Sequence, residues 1–262
     1  MVPKISVIMG IYNCANTLQE ALDSLYSQTF QEFEIILCDD GSQDATHTIA
    51  VANKKIHSKI VVLKNERNMG LNYTLNRCLR VAKGKYIARM DGDDLSLPDR
   101  LEKEYIFLES HPEYSIVSCP MIYFDEKGDY RTGVGNGEVN KYNFINGTPF
   151  CHAPCMVRKE AYDAVKGYSE SKWLLRVEDY HLWIKMYAKQ YKGYNIREPL
   201  YKMRDDRNAY SRRKFRYRIN EAYVKFLSIK LLHLPWYKSY IILKPIIVGL
   251  LPNFVYDYFH KR

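Results

Sequence analysis

Short apolar runs alternate with amphipathic stretches through the first part of the chain. Runs typical of buried strands lie at residues 5–9, 33–38, 60–63 and 86–90. Each is followed by apolar positions at helical spacing, which predicts helices from Thr17, from about Asp44, over 71–82 and after Pro98. Thr17-x-x-Glu20 also predicts a capping box. The alternation predicts an α/β fold with a mostly parallel central sheet flanked by helices.

The second half of the sequence is less regular. Residues 114–124 and 150–157 predict strands, and residues 159–165 and 178–190 predict helices. Residues 131–147 are rich in Gly and Asn and lack periodicity, so we expect a mobile loop that closes over a bound ligand. We expect two parts, an α/β domain over residues 1–205 and a basic, helical C-terminal extension over 206–262.

Charge is distributed unevenly along the 262 residues, whose formal net charge is +9. Residues 200–262 hold 14 Lys and Arg against 4 Asp and Glu, whereas residues 1–199 hold 25 against 26. The tail also carries an apolar stretch over 236–251 that includes Trp and Tyr, is broken by Lys244 and Pro245, and is shorter than the ~20 residues that span a bilayer. This pattern favours a segment lying on an anionic membrane surface, with a helix packed on the domain or an oligomer contact as alternatives.

The N-terminus and the cysteines indicate the compartment. The first apolar run is shorter than the core of a signal peptide, and no small-residue cleavage site follows it. The six cysteines form no C-x-x-C pair, which favours reduced thiols in a cytosolic protein. A zinc site at Cys151, His152 and Cys155 is an alternative, although a second ligand pair at suitable spacing is missing.

Polar clusters follow three of the predicted strands. Tyr12-Asn13 follows the first, Asp39-Asp40 ends the second, and Asp91-Gly92-Asp93-Asp94 follows the fourth. Ligands of open α/β sheets bind outside the carboxyl ends of the strands, so the three clusters predict one shared pocket. Three carboxylates within four residues repel one another unless a cation lies among them, and Mg²⁺ or Mn²⁺ prefers such oxygens. A solvated acidic turn is the alternative for the last cluster, and a turn with a helix cap for the second.

Glu178-Asp179 is a further acidic feature. Negative charge is favourable at a helix N-terminus, which explains the pair without any chemistry. A carboxylate there could also act as a general base toward a hydroxyl nucleophile.

Several motifs in order resemble the family 2 glycosyltransferases and cover about residues 4–205. They are SVIMGIYN at 6–13, LYSQTF at 25–30, FEIILCDDGS at 33–42, NMGL at 68–71, AKGKYIARMDGDD at 82–94, PDRL at 98–101 and EDYHLW at 178–183. The resemblance implies a GT-A fold and metal-dependent, inverting transfer of a hexose-type sugar from a nucleoside-diphosphate donor, UDP in the first instance. It places the reaction in surface-polysaccharide synthesis at the inner face of the cell membrane, with a saccharide acceptor that is free or carried on a lipid.

The same resemblance implies roles for individual residues. Tyr12 would stack on the base, Asp40 would bond its polar edge, Asp91 would serve the ribose and the metal, Asp93 would ligate Mn²⁺ or Mg²⁺, and Asp179, or else Glu178, would be the base. The further nucleotide contacts that it implies are Ile11, Asn13, Arg67, Arg89 and Gly92.

The sequence departs from the family at position 204, where a metal-binding His is common. Arg204 cannot ligate a metal but could pair with the diphosphate.

Two other functions have less support in the sequence. A nucleotidyltransferase usually carries a Gly-rich basic loop where this chain has Ile11-Tyr12-Asn13-Cys14. A basic membrane- or nucleic-acid-binding adaptor does not explain acidic clusters at strand ends, so we expect no nucleic-acid partner and leave the oligomeric state open.

Overall fold

The computed structural model describes residues 2–205 and 215–250. Contacts divide these residues into two compact units, and each unit is built from several segments that are separated in sequence. The first unit contains residues 2–139, 150–168 and 191–205, and the second contains 140–149, 169–190 and 215–250. The boundary at residue 206 that composition suggests stays a prediction.

A mixed sheet forms the centre of the first unit. Its eight strands run in the order β3-β2-β1-β4-β10-β6-β11-β9, and β3, β2, β1 and β4 are parallel neighbours. β10 is antiparallel to both β4 and β6, while β11 is parallel to β6. The strands are β1 Ile5–Ile11, β2 Phe33–Asp39, β3 Ile60–Lys64, β4 Tyr86–Arg89, β6 Tyr114–Ser118, β9 Gly137–Val139, β10 Met156–Arg158 and β11 Lys192–Asn195. The expected α/β architecture with a large central sheet is confirmed.

Helices cover this sheet because their apolar positions recur at helical spacing. Leu18, Ala21, Leu22 and Leu25 of α1, for example, are all buried. The helices of the first unit are α1 Leu18–Tyr26, α2 Thr46–Ile56, α3 Leu71–Val81, α4 Arg100–Ser110 and α5 Lys159–Ala164. The predicted capping box is wrong, because the Thr17 side chain makes no cap hydrogen bond. Its hydroxyl donates to the carbonyl of Gly92 at 3.0 Å and thereby ties the start of α1 to the acidic run.

A second, smaller sheet lies at the end of the acidic run. Its four strands run in the order β5-β12-β7-β8, with β12 antiparallel to β5 and parallel to β7. They are β5 Leu95–Ser96, β7 Met121–Asp125, β8 Gly128–Thr132 and β12 Tyr201–Arg204. β5 begins directly after Asp94, so this sheet positions the acidic run.

Two expectations for the middle of the chain are wrong. The single strand over 114–124 is two strands in different sheets, separated at Pro120, which has no N–H to continue a ladder. The expected loop over 131–147 contains β9 and a 3₁₀-helix at Lys141–Ile145, so its lack of regular structure is wrong, whereas its mobility and its closure over a ligand stay predictions. Gly137 pairs with Asn195 of β11, so the backbone pairing of a neighbouring strand gives order that side-chain periodicity does not reveal.

The second unit is helical. It consists of the 3₁₀-helices Lys141–Ile145, Lys172–Leu174 and Trp236–Ser239 together with α6 Glu178–Ala188, α7 Phe215–Leu231 and α8 Tyr240–Leu250. The expected C-terminal helices are present, whereas the basic residues at 212–214 and the end of the chain from 251 lie outside the described residues.

None of the helices in the described part of the chain is long and apolar enough to cross a membrane.

Candidate functional site

The carboxyl ends of β1, β2 and β4 lie side by side in the first unit. Ile11, the last residue of β1, is paired with Asp39, the last residue of β2. β4 runs parallel to β1 on its other side and leads into Asp91. The three polar clusters at these strand ends therefore share one edge of the sheet.

The acidic run forms a tight carboxylate cluster. One oxygen from each of Asp91, Asp93 and Asp94 lies within 4.8 Å of the others, and no other such group of His, Cys, Asp or Glu occurs in the described residues. The zinc alternative at Cys151, His152 and Cys155 is therefore wrong.

Arg89 holds Asp91 with two hydrogen bonds. Its Nη1 donates to Asp91 Oδ2 at 2.6 Å, and its Nη2 donates to Oδ1. Arg89 is almost completely buried, so this pair is a strong, geometrically fixed contact. The guanidinium thus faces the acidic run and partly neutralises it.

Asp94 is buried beneath residues of β12. Its Oδ2 accepts from the Tyr201 hydroxyl at 2.9 Å, and its Oδ1 accepts from the Arg204 backbone N–H at 2.8 Å. The Tyr201 hydroxyl in turn accepts from the Asp91 N–H at 3.2 Å. Burial, followed by the charges of Asp91 and Asp93, raises the pKa of the Asp94 carboxyl well above its usual value.

Asp93 is the exposed member of the cluster. Loss of hydration within the site, followed by the Asp91 charge, raises the pKa of its carboxyl. Closely spaced carboxylates whose charged forms are destabilised in this way suit a hard divalent cation. The donor set therefore fits Mg²⁺ or Mn²⁺.

Tyr12 and Asn13 form a platform at the end of β1. Tyr12 is 46 % exposed, so a large part of this aromatic residue is open to solvent. Asn13 has a positive φ of 48°, its N–H donates to Ser42 Oγ at 3.0 Å, and its side-chain oxygen accepts from the Gln43 N–H at 2.9 Å. These bonds fasten the loop after β1 to the loop after β2.

Asp40 organises the loop before α3. Its Oδ1 accepts from the Met69 N–H at 2.8 Å and from Asn65 Nδ2 at 2.7 Å, and its Oδ2 accepts from the Gly70 N–H at 2.9 Å. A direct contact of Asp40 with a base stays a prediction.

Two glycines allow loops to meet at this edge. Gly41 has a φ of +72°, and a Cβ there would lie 2.6 Å from the backbone carbonyl carbon of Arg67. A Cβ on Gly92 would lie 2.8 Å from Cys14 Sγ and 3.0 Å from Ile11 Cγ2. Because Gly92 has no side chain, the acidic run can lie close to the end of β1.

The predicted arginines occupy different environments. Arg67 lies exposed within the loop before α3, whereas Arg89 is buried behind Asp91. Arg204 Nη2 donates to Glu20 at 2.5 Å, its Nε donates to the Asp93 carbonyl at 3.0 Å, and its guanidinium lies over the Phe124 ring. A contact of Arg204 with a diphosphate stays a prediction.

Glu178 and Asp179 belong to the second unit and form the first turn of α6. Both are partly buried. Negative charge is favourable at this end of a helix, so the acidic pair also suits the start of α6 without any chemistry.

Residues 6–166 match the sequence profile of the family described as Glycosyl transferase family 2. The chain belongs to this family. As a family 2 glycosyltransferase it is 42 % identical over 261 residues to the putative glycosyltransferase EpsE of Bacillus subtilis, covering 99 % of this chain and 94 % of that protein.

Two further similarities concern proteins with more specific names. The glycosyltransferase is 31 % identical over 232 residues to WfaP of Escherichia coli, named as a UDP-Glc:α-D-GlcNAc-diphosphoundecaprenol β-1,3-glucosyltransferase, with 87 % of this chain and 88 % of that one covered. Its fold resembles that of the mannosyltransferase PcManGT from Pyrobaculum calidifontis, solved with GDP-Man and Mn²⁺. That similarity has a TM-score of 0.67 at 18 % identity and covers 99 % and 76 % of the two chains.

Tyr201 is a residue of this candidate site that the sequence did not indicate. Arg100 lies beside it: the Arg100 guanidinium is 5.0 Å from the Tyr201 ring centre, and Nη2 donates to the Arg89 carbonyl at 2.8 Å. Tyr201 is 110 positions from Asp91 and lies in a strand too short for a periodic signal, so the sequence offers no local indication of it.

Proposed function

We propose that this family 2 glycosyltransferase transfers a hexose-type sugar from a UDP donor to an acceptor hydroxyl, with inversion at the anomeric carbon. The observation that carries the proposal is the meeting of the Tyr12 platform and the Asp91–Asp93–Asp94 cluster at one sheet edge. An exposed aromatic ring suits a base, and an adjacent acidic cluster suits the metal of a diphosphate. Together they match the two ends of a nucleoside diphosphate.

Asp93 and Asp91 would hold the divalent ion in this proposal. Asp93 is exposed, whereas Asp91 already carries Arg89, so Asp93 is the principal ligand. When bound, Mn²⁺ or Mg²⁺ offsets the negative charge that develops on the leaving diphosphate. The presence of Mn²⁺ with GDP-Man in PcManGT supports a metal, though not this particular ion.

Asp179 acts as the general base, with Glu178 as the second candidate. Its carboxylate takes the proton from the acceptor hydroxyl while the acceptor oxygen forms a bond to the anomeric carbon. The bond between that carbon and the diphosphate oxygen breaks on the opposite side, and the electron pair leaves with the diphosphate. Attack opposite the leaving group gives inversion.

The acceptor in this proposal is a lipid-linked saccharide of a surface polysaccharide, which places the reaction at the inner face of the cell membrane. The name of WfaP supports both UDP and a diphosphoundecaprenol-linked acceptor. PcManGT binds GDP-Man instead, so the choice between a UDP and a GDP donor needs an experiment.

A panel of UDP- and GDP-sugars tests the donor by thermal stabilisation with Mn²⁺ and with EDTA. A ligand at ~100 times its Kd stabilises the folded state by about 2.7 kcal/mol. We expect Asp93→Ala to lose the metal-dependent part of the stabilisation and Asp163→Ala, an exposed acid on α5, to keep it. Equal stabilisation of both variants would contradict the metal assignment.

Asp179→Asn tests the base. The variant should retain donor stabilisation and lose transfer by about 10² to 10⁴, the usual contribution of a general base. Glu178→Gln should then retain most of the transfer rate. Wild-type transfer by Asp179→Asn together with a large loss in Glu178→Gln would reverse the assignment.

A further inference from the structure

An exposed apolar stripe runs along α8 in the second unit. Tyr240, Leu243, Ile247 and Leu250 are each more than half exposed and recur at helical spacing. Ile241 and Pro245, on the other side of the helix, are buried. The helix therefore has a buried face and an apolar face that the described protein leaves open to solvent.

The neighbouring segments carry further exposed apolar side chains. Trp236 and Tyr237, just before α8, are 83 % and 61 % exposed, and Phe215, Ile219, Tyr223 and Phe226 form a second exposed stripe on α7. A Cβ on Gly249 would lie 2.9 Å from Arg218 Cγ and 3.0 Å from the Phe215 ring, so the end of α8 packs closely against the start of α7. We call residues 215–250 the tail hairpin.

Cations accompany the apolar stripes. Residues 215–250 contain six Lys and Arg and a single acid, Glu221. Glu221 is engaged by Arg218 at 3.2 Å and lies 4.0 Å from Lys225. Lys230 and Lys244 are exposed, and Lys238 lies over the Tyr237 ring. The tail hairpin therefore presents apolar and aromatic side chains with an excess of positive charge.

We propose that the tail hairpin binds the surface of an anionic phospholipid bilayer, with the α8 stripe in the interface and the lysines at the headgroups. Trp and Tyr favour this depth because their rings are apolar and their N–H or O–H groups remain hydrated. The excess charge selects anionic lipid over a neutral surface or a second copy of this cationic hairpin. The lipid-linked acceptor proposed above would require the enzyme to work at a membrane. The exposed apolar and cationic side chains of the tail hairpin indicate membrane binding independently of that acceptor.

Flotation of the full-length protein with vesicles tests the proposal. We expect binding to phosphatidylcholine vesicles that contain phosphatidylglycerol, weaker binding to pure phosphatidylcholine, and a decrease as salt is raised. Leu243→Gln, Ile247→Gln and Leu250→Gln together should weaken binding about 100-fold, from roughly 1 kcal/mol for each half-buried side chain. Lys238→Gln with Lys244→Gln should weaken it roughly 25-fold, at about fivefold for each lysine.

A matched control replaces exposed apolar residues of the first unit, Val2→Gln, Ile56→Gln and Ile106→Gln, and should bind vesicles like the wild type. Circular dichroism and donor stabilisation verify that every variant is folded, so a failure of the proposed function is distinguishable from a failure of membrane binding. Wild-type protein that ignores anionic vesicles at low salt would overturn the proposal. So would a triple α8 variant that binds normally, or a dimer in solution that the triple variant dissociates while vesicle binding is absent.

Discussion

Glu104 of α4 allows a sharp test of the electrostatics behind the site. It is completely buried, and the Nε of Arg100, also completely buried, donates to its two carboxylate oxygens at 3.2 and 3.3 Å. Contact through one nitrogen is weaker than a two-nitrogen fork, so the ion pair only partly offsets the burial. Burial therefore raises the pKa of Glu104 from its ordinary value of 4.5 to about 7, against the lowering effect of Arg100.

The sign of the pH dependence follows from this pKa. Between about pH 4.5 and 7 the folded chain holds a proton on Glu104 that the unfolded chain has released. The free energy of unfolding therefore falls as pH rises through this window, and the full change is about 3 kcal/mol. Glu104→Gln has the same shape and no proton to release, so it lacks this contribution.

Urea unfolding of the wild type and of Glu104→Gln, from about pH 5 to about pH 8, measures the difference in unfolding free energy. We expect the wild type to lose stability relative to the variant as pH rises. Other titrating groups largely cancel in the difference. If the wild type instead gained stability relative to the variant, Arg100 would outweigh burial, and the reasoning would be refuted.

Glu109→Gln on the same helix is the control. Glu109 is an exposed residue whose pKa is lowered by the hydrogen bond from Lys85 and then by that from Tyr86. Its contribution is present above about pH 4.5 and is lost only as pH falls further, so the difference should stay flat over the tested range. As a surface pair it should be worth less than about 1 kcal/mol.

Two further predictions concern side chains and turns at the site. Tyr201→Phe removes the hydrogen-bond partner of both the Asp94 carboxyl and the Asp91 N–H, and it should lower the free energy of unfolding by about 2 to 4 kcal/mol in urea. Tyr130→Phe removes a half-buried hydroxyl that donates to Asp205, and it should cost less than about 1 kcal/mol. Equal losses in the two variants would contradict this account. Gly41→Ala places a Cβ against the Arg67 backbone and should weaken donor stabilisation as well as folding. Gly128→Ala also has a positive φ, of 106°, but a Cβ there meets open space, so it should show only a backbone strain of about 1 to 2 kcal/mol. A neutral Gly41→Ala would show that the loop shifts freely.

The predictable part of the fold is the part with strong periodic signals. All seven residues of β2 are buried, and the apolar positions of α1 recur on one face, so sequence alone indicates both elements and their order. β5 and β12 have two and four residues, too few for any period to show. Their pairing is decided by backbone hydrogen bonds between residues about a hundred positions apart, which leave no local pattern.

The site divides in the same way. The acidic run is visible because its residues are adjacent in sequence and follow a buried strand. The residues that hold the acidic run in place are not visible in the sequence. Tyr201 and the Arg204 backbone belong to β12 and reach Asp94 only because the second sheet brings them there. Thr17 shows the opposite error. The sequence contains a capping-box motif, but the box does not form because the Thr17 hydroxyl donates to the distant Gly92 carbonyl instead.

These supports make the three carboxylates of the run unequal. Asp91 shares its charge with a buried arginine, and Asp94 is enclosed by the Tyr201 hydroxyl and a backbone N–H. Asp93 is exposed, and its pKa is raised by partial desolvation and by the Asp91 charge. A cation that approaches from solvent gains most at Asp93, because there it relieves repulsion without displacing a buried partner. The inequality, which the motif alone does not contain, is the physical reason to expect Asp93→Asn to impair metal binding more than Asp91→Asn, and titration of Mn²⁺ against each variant would decide it.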